Sequence, residues 1–143
     1  MNKRVEDLKR RFREALEYIN RNNPVQAAEK LYKVAEKAVK ILSEINNLPE
    51  HKKAQKEGMW WSKLLDKAAR KLGKIYGEEI LDAWKTALEY HQKGFHEEQL
   101  TAEKMLEGAY KIEELIRIVE SETEKRSKSR HTRSENQKLG KEI

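Results

Sequence analysis

The chain has 143 residues, of which 39% are charged and 37% hydrophobic, with a formal net charge of +6 and no cysteine. This length limits the fold to one domain, and the lack of cysteine excludes disulfides and thiolate metal sites. No apolar run approaches the roughly 18 residues of a membrane span, and the amphipathic N-terminus has no apolar region of the signal-peptide type. We therefore expect a cytoplasmic protein without a membrane partner.

The first predicted helix covers residues 2–22. Apolar residues recur on one face at helical spacing: Val5, Leu8, Phe12, Ala15, Leu16 and Ile19. The other face carries five cations: Lys3, Arg4, Arg10, Arg11 and Arg13. Two interpretations stay open, because such a stripe is either a solvated face that covers apolar neighbours or a contact surface for RNA or DNA. Arg10, Arg11 and Arg13 are the candidate binding residues on this face.

The second and third helices are separated by a polar segment. Asn23 as N-cap and Pro24 as first helical residue predict a helix over residues 24–46, with a nearly strict apolar seam. Residues 51–58 are polar and lack apolar periodicity, so we predict a connector there. The next helix is predicted over residues 59–75. Its Trp60–Trp61 pair is expected in the core or in a dimer interface.

The fourth helix is predicted to start at residue 78 and to end at Gly94, because glycine commonly follows a helix C-terminus. The fifth is predicted over residues 95–120. The corner between them concentrates the rare residue types of the chain. It supplies our candidate catalytic residues Lys85, His91 and His96, and two candidate binding residues, Trp84 and Glu97.

Both histidines have a structural interpretation beside the functional one. His91 extends the apolar stripe and lies at a helix C-terminus, where the dipole favours an imidazolium. His96 follows Phe95 and is the better functional candidate, although capping or packing also explains it. The sequence lacks a phosphate-binding loop, a dinucleotide fingerprint and the repeated Glu-x-x-His motifs of bundle metal sites. We therefore expect neither a metal nor a cofactor.

The apolar repeat stops near Ser121. Residues 121–143 carry seven Lys or Arg and four Glu residues, a composition typical of disorder. The predicted organisation is a helical bundle domain of residues 1–120 followed by a disordered charged tail of residues 121–143. The tail either attracts nucleic acid nonspecifically or keeps the chain in solution.

The helices together predict an all-α fold, an antiparallel up-and-down bundle of four to five helices. Two segments also carry a family resemblance. One spans residues 84–97 and includes Gly94-Phe95-His96-Glu97, and the other spans residues 28–40. They resemble the archaeal repetitive-element (PaREP-type) family, which is similar in turn to the HEPN superfamily of helical bundles. The resemblance extends over roughly residues 20–118.

A HEPN resemblance implies a bundle that commonly dimerises. In many members it also implies a metal-independent ribonuclease site at the dimer interface, formed by an Arg, then four to six other residues, then a His. Here Lys85 stands in the place of that Arg, upstream of His91. A Lys lacks the planar fork with which Arg grips a phosphate.

Our leading hypothesis is a small, HEPN-like, homodimeric module that binds or interacts without catalysis, with RNA or a nucleotide as ligand. Trp61, Leu65, Leu81 and Leu88 are candidates for the subunit interface. The alternative is a metal-independent, toxin-type ribonuclease with a degenerate HEPN site. In that case a histidine of the corner acts as general acid–base, and Lys85 holds the scissile phosphate.

Overall fold

The computed structural model describes residues 2–93 and 101–141, with side chains up to residue 127. These residues form six helices and contain no strand, which confirms the all-α prediction. The helices are α1 (Lys3–Asn20), α2 (Pro24–Ile45), α3 (Pro49–Glu57), α4 (Ser62–Tyr76), α5 (Glu78–Lys93) and α6 (Ala102–Lys141). In the described ranges, none of the helices combines the length and the apolar character needed to cross a membrane.

Local capping chemistry sets the start of the first two helices. The Asn2 side chain accepts hydrogen bonds from the backbone N–H groups of Arg4 and Val5, at 2.8 and 3.4 Å. The Asn23 side chain accepts one from Gln26 N–H at 3.3 Å, directly before Pro24. Such caps satisfy N–H groups that have no partner inside the helix. For α2 they place the start where the sequence predicted it.

Helix α2 lies at the centre of the bundle and contacts each of the other five helices. Small residues on its buried face let neighbouring backbones approach closely: Ala27, Ala28, Ala35 and Ala38. Trp84 of α5 and Ile112 of α6 are fully buried against the same core. The apolar seam predicted for α2 is thus largely buried in this core.

Helix α3 corrects the prediction of a connector at residues 51–58. Pro49 stands in its first turn, and Gly58 ends it in the left-handed conformation, with φ of 75°. The buried Glu50 carboxylate accepts a hydrogen bond from Lys71 of α4 at 3.0 Å. Periodicity missed this helix because it docks mainly through Glu50 and Ala54, which make no apolar stripe.

The tryptophan pair precedes α4 instead of lying within it. Trp60 packs against the edge of the core, and Trp61 is half-buried at the N-cap position of α4. Lys53 Nζ lies 5.6 Å from the centroid of the Trp61 ring, which is a cation–π contact. Within the single chain both rings are thus partly covered.

The corner between α5 and α6 is described only at its two ends. Gly94, Phe95, His96 and Glu97 lie outside the described residues. On the far side, the Thr101 hydroxyl accepts a hydrogen bond from Lys104 N–H at 3.2 Å. The Tyr90 hydroxyl donates to the Lys104 carbonyl at 2.6 Å and so joins the end of α5 to the start of α6.

Helix α6 continues beyond the point where the apolar repeat stops. It has 40 residues, nearly twice the 22 of α2. Arg126 pairs with Glu122 at 3.5 Å, an i,i+4 contact of the kind that supports a helix without burial. A helix to Lys141 differs from the disorder expected after Ser121. The division of the chain into a domain of residues 1–120 and a tail stays a prediction.

Candidate functional site

Three rings from α2 and α5 meet near the C-terminal end of α5. His91 stacks on Tyr32, with centroids 4.1 Å apart and planes 17° from parallel. Tyr32 also contacts Trp84, at 5.8 Å between centroids. Trp84 and His91 share one face of α5, as their spacing predicted, and Tyr32 is the residue they meet. Trp84 and Tyr32 are buried, whereas His91 is half-buried.

Carboxylates surround this ring stack. Glu29 Oε1 lies 2.8 Å from His91 Nδ1, and Trp84 Nε1 donates to Asp66 at 3.2 Å. Burial, followed by the charge and hydrogen bond of Glu36, raises the pKa of Tyr32 to about 12. Carboxylates repel phosphate, so the stack with its acidic edge is suited to packing better than to RNA binding.

Lys85 is exposed and lies six residues before His91 on the continuous helix α5. At about 100° per residue, the two side chains leave the helix about 120° apart. Helical geometry therefore does not direct Lys85 toward the pair of His91 and Glu29. His96 and Glu97 lie outside the described residues, so their roles stay predictions. In residues 2–93 and 101–127, no three His, Asp or Glu side chains are grouped closely enough to hold a metal ion.

Two of the candidate arginines of α1 gather around one carboxylate. Asp7 accepts hydrogen bonds from Arg11 at 3.0 Å and from Lys37 of α2 at 3.1 Å, and Arg10 also donates to it. We call these four residues the Asp7 cluster. The hydrogen bond from Arg11, supported by Lys37 and Arg10, holds the pKa of Asp7 well below its usual range. Arg13 is exposed and lines a different groove, between α1 and α6.

A groove of about 510 Å³ opens beside the Asp7 cluster, between α1 and α2. Seven residues line it: Lys3, Arg4, Asp7, Glu36, Lys37, Lys40 and Ile41. Four of them are cations and two are carboxylates, which leaves an excess of two positive charges. Sequence analysis included the α1 cations but missed those of α2. The available signal was the spacing of Lys33, Lys37 and Lys40, which places them on one face of α2.

The opposite charge arrangement holds the other side of α1. Lys9 pairs with Glu120 of α6, and Glu6 and Glu124 also lie near its ammonium group. We call these four residues the Lys9 cluster. The hydrogen bond to Glu120 and the surrounding negative charge raise the pKa of Lys9. Helix α1 thus contacts α2 through Asp7, a carboxylate surrounded by cations, and contacts α6 through Lys9, a cation surrounded by carboxylates.

The family model of the archaeal PaREP1/PaREP8 family matches residues 3–116. The chain belongs to this family. The match runs from the start of α1 into α6, so it includes the ring stack, the Asp7 cluster and most of the bundle of this PaREP chain. It confirms the PaREP part of the resemblance, while the HEPN-like part stays a prediction. No curated protein matches the chain.

Two experimental structures show the same fold as this PaREP chain. A crystal structure of a protein from Sulfolobus solfataricus has 31% sequence identity and a TM-score of 0.77, and the alignment covers 87% of this chain and 99% of that one. A solution structure of an Orf c02003 protein, from the same structural-genomics target, has 32% identity and a TM-score of 0.72. That alignment covers 87% of this chain and 94% of the other.

Proposed function

We propose that this PaREP chain is a non-catalytic helical binding module that holds RNA through its phosphate backbone on the face formed by α1 and α2. One observation supports this most: cations from both helices line an open groove beside the Asp7 cluster, with positive charge in excess. Contacts of Lys and Arg with phosphates supply most of the affinity in sequence-independent nucleic-acid binding. A nucleotide would use the same contacts through its own phosphates.

In this proposal the module is also HEPN-like and homodimeric. The interface candidates chosen from the sequence are largely used within one chain, since Leu65 is buried and Leu81 and Leu88 pack against the core. Leu106 and Tyr110 support an interface instead, because they are 38% and 62% exposed on adjacent turns of α6. Exposed apolar side chains grouped on one face are typical of protein interfaces.

RNA binding is tested with a fluorescently labelled oligouridine and measured by anisotropy at several salt concentrations. We expect affinity to fall steeply with salt, with a logarithmic slope of about −0.7 per phosphate contact. Combined substitution of Arg10, Arg11 and Lys40 by Gln is expected to weaken binding at least roughly tenfold and to flatten this slope.

The control combines Lys63→Gln, Lys67→Gln and Lys74→Gln, three exposed cations of α4. It changes the net charge by the same amount away from the groove. Equal losses in the two triple variants, or no binding by the wild type, would contradict the proposal.

The alternative function, a metal-independent toxin-type ribonuclease, is favoured by the contact between Glu29 and His91. A carboxylate at Nδ1 orients an imidazole for general acid–base chemistry. Two observations oppose a ribonuclease site. The Lys85 side chain leaves α5 about 120° away from that of His91, and carboxylates surround the ring stack. Incubation with the same labelled RNA separates the two functions. We expect intact RNA, whereas cleavage that is lost in His91→Asn would support the ribonuclease.

A further inference from the structure

The positively charged groove between α1 and α2 already holds an anion that belongs to the protein. The Asp7 carboxylate accepts hydrogen bonds from Arg11 Nε at 3.0 Å and Lys37 Nζ at 3.1 Å, and Arg10 also donates to it. Two guanidinium groups and an ammonium group around one pair of anionic oxygens are also the donors with which proteins bind a phosphate.

We infer that the Asp7 carboxylate occupies a phosphate site and that an RNA phosphate displaces it from Arg10, Arg11 and Lys37. This inference rests on the proposed function and adds a regulatory element to the same groove. Asp7 is then an internal competitor that limits the affinity of the groove for RNA.

The exposure of the cluster allows this exchange. The side chains of Asp7 and Arg11 are 25% and 28% exposed, and those of Lys37 and Arg10 are 38% and 59% exposed. Of the three donors, Lys37 lines the groove together with Asp7, and Arg10 and Arg11 contact the same Asp7 carboxylate beside it. The cations are long and flexible, so they can turn from Asp7 toward a phosphate within the same groove.

The competition is between groups of similar charge. A backbone phosphodiester carries one negative charge and two unbridged oxygens, as the carboxylate does. The carboxylate has the advantage of being tethered, which gives it a high effective concentration at the site. Removal of its charge should therefore release two guanidinium groups and an ammonium group to the ligand.

The test compares Asp7→Asn with wild type in the oligouridine anisotropy assay. Asn keeps the shape of Asp but not its charge, and we expect binding to tighten by roughly tenfold. Lys37→Gln is expected to weaken binding, and in the double variant most of the gain from Asp7→Asn should be lost. Inorganic phosphate, added as a competitor, shows whether a free anion is enough to occupy the site.

The control is Asp82→Asn, which changes the net charge equally. Asp82 is 61% exposed on α5, pairs with Lys111 and lies outside the groove. If Asp7→Asn binds no more tightly than Asp82→Asn, the inference fails while the proposed function stands. If wild type binds no RNA, the proposed function itself fails.

A second measurement uses the wild-type chain and so does not depend on the folding of a variant. The ¹³C resonances of the carboxyl groups are followed by NMR while oligouridine is added. Displacement predicts a larger shift for Asp7 than for Asp82. Binding that leaves the Asp7 resonance unchanged would overturn the inference.

Discussion

At the residue scale, one tyrosine hydroxyl reaches the backbone of another helix. The Tyr90 hydroxyl donates to the Lys104 carbonyl at 2.6 Å. Burial raises the pKa of Tyr90, while a hydrogen bond from the Gly108 backbone lowers it. Lys104 C=O and Gly108 N–H are partners in a regular α-helix, so the hydroxyl contacts both members of one helical hydrogen bond. Only a residue without a side chain at position 108 leaves room for the ring, since a Cβ there would overlap it.

We predict that Gly108→Ala destabilises the protein although alanine favours helices. The gain in helix propensity is about 1 kcal/mol, whereas displacing a buried ring costs about 2 to 3 kcal/mol. The measurement is thermal unfolding, with a lower Tm expected. Gly73→Ala in α4 is the matched control, because its Cβ would meet only Leu81 Cβ, at an ordinary 3.5 Å. We expect the Gly73→Ala control to be neutral or stabilising. If the Gly108→Ala protein is as stable as the Gly73→Ala protein, the packing argument is contradicted.

For single residues, the sequence predicted which side chains of a helix point inward but not which residues of other helices they contact. The spacing of Trp84 and His91 placed them together on the inner face of α5, and the structure agrees. Their partner Tyr32 is 52 residues from Trp84 along the chain, and Glu29 is 62 residues from His91. Periodicity reports the direction of a side chain within its own helix, and the identity of the facing helix depends on tertiary packing.

At the scale of elements, α1 is joined to α2 through the contact between Asp7 and Lys37. The pKa of Asp7 lies below its usual value of about 3.9, so its ion pairs stabilise the folded state above that pH. This contribution is lost as pH falls from about 5 toward the lowered pKa, because the unfolded state binds the proton first.

We therefore predict a difference in Tm between wild type and Asp7→Asn that is largest near neutral pH and shrinks steadily in acid. Thermal unfolding from about pH 7 down to about pH 2 measures it. Asp82→Asn, on an exposed site of α5, should change Tm little at neutral pH. A Tm difference for Asp7→Asn that stays constant over the whole range would contradict the role assigned to these ion pairs.

Helix boundaries were predictable where capping is local. Helix α2 was predicted over residues 24–46 and spans Pro24–Ile45, because Asn23 and Pro24 act on their immediate neighbours. Helix α3 was not predictable in the same way. Its buried Glu50 depends on Lys71, which reaches it only after α4 has packed. A buried carboxylate is stabilised by a partner that the local sequence does not reveal.

At the scale of the whole molecule, the all-α fold followed from the apolar repeats, and the similar experimental structures show the same arrangement. The proposed subunit interface could not be read from the sequence, since apolar residues at helical spacing look alike whether they face the core or a second copy. Exposure separates them once the fold is known. Leu106 and Tyr110 are exposed on one face of α6 and are our interface candidates, whereas the exposed Met59 and Ile75 lie outside α6.

We predict that the wild type sediments as a dimer at micromolar concentration and that Leu106→Glu combined with Tyr110→Glu shifts it to monomer. Charges at a buried apolar contact are strongly unfavourable, whereas on a free surface they cost little. The Tm of the variant at low concentration reports whether its fold is intact. Met59→Glu, at a residue that is 59% exposed outside α6, is the control and should leave the dimer unchanged. A wild type that sediments only as monomer would refute the dimer.

The two charge clusters of α1 also agree with the position of this helix along its own axis. A slide of α1 by one turn would place a cation at a buried position of the core. A slide of three residues would bring Arg11 to the place of Leu8 or Lys9 to the place of Phe12, and a slide of four would bring Lys9 to the place of Val5 or Arg4 to the place of Leu8. Each slide would bring Lys3, Arg4, Arg10 or Arg11 to the place of Asp7, opposite the ammonium group of Lys37. A slide of three residues would also bring Glu6 or Phe12 to the place of Lys9, beside Glu120. Burial of the apolar face and the two charge clusters therefore favour the same axial register of α1.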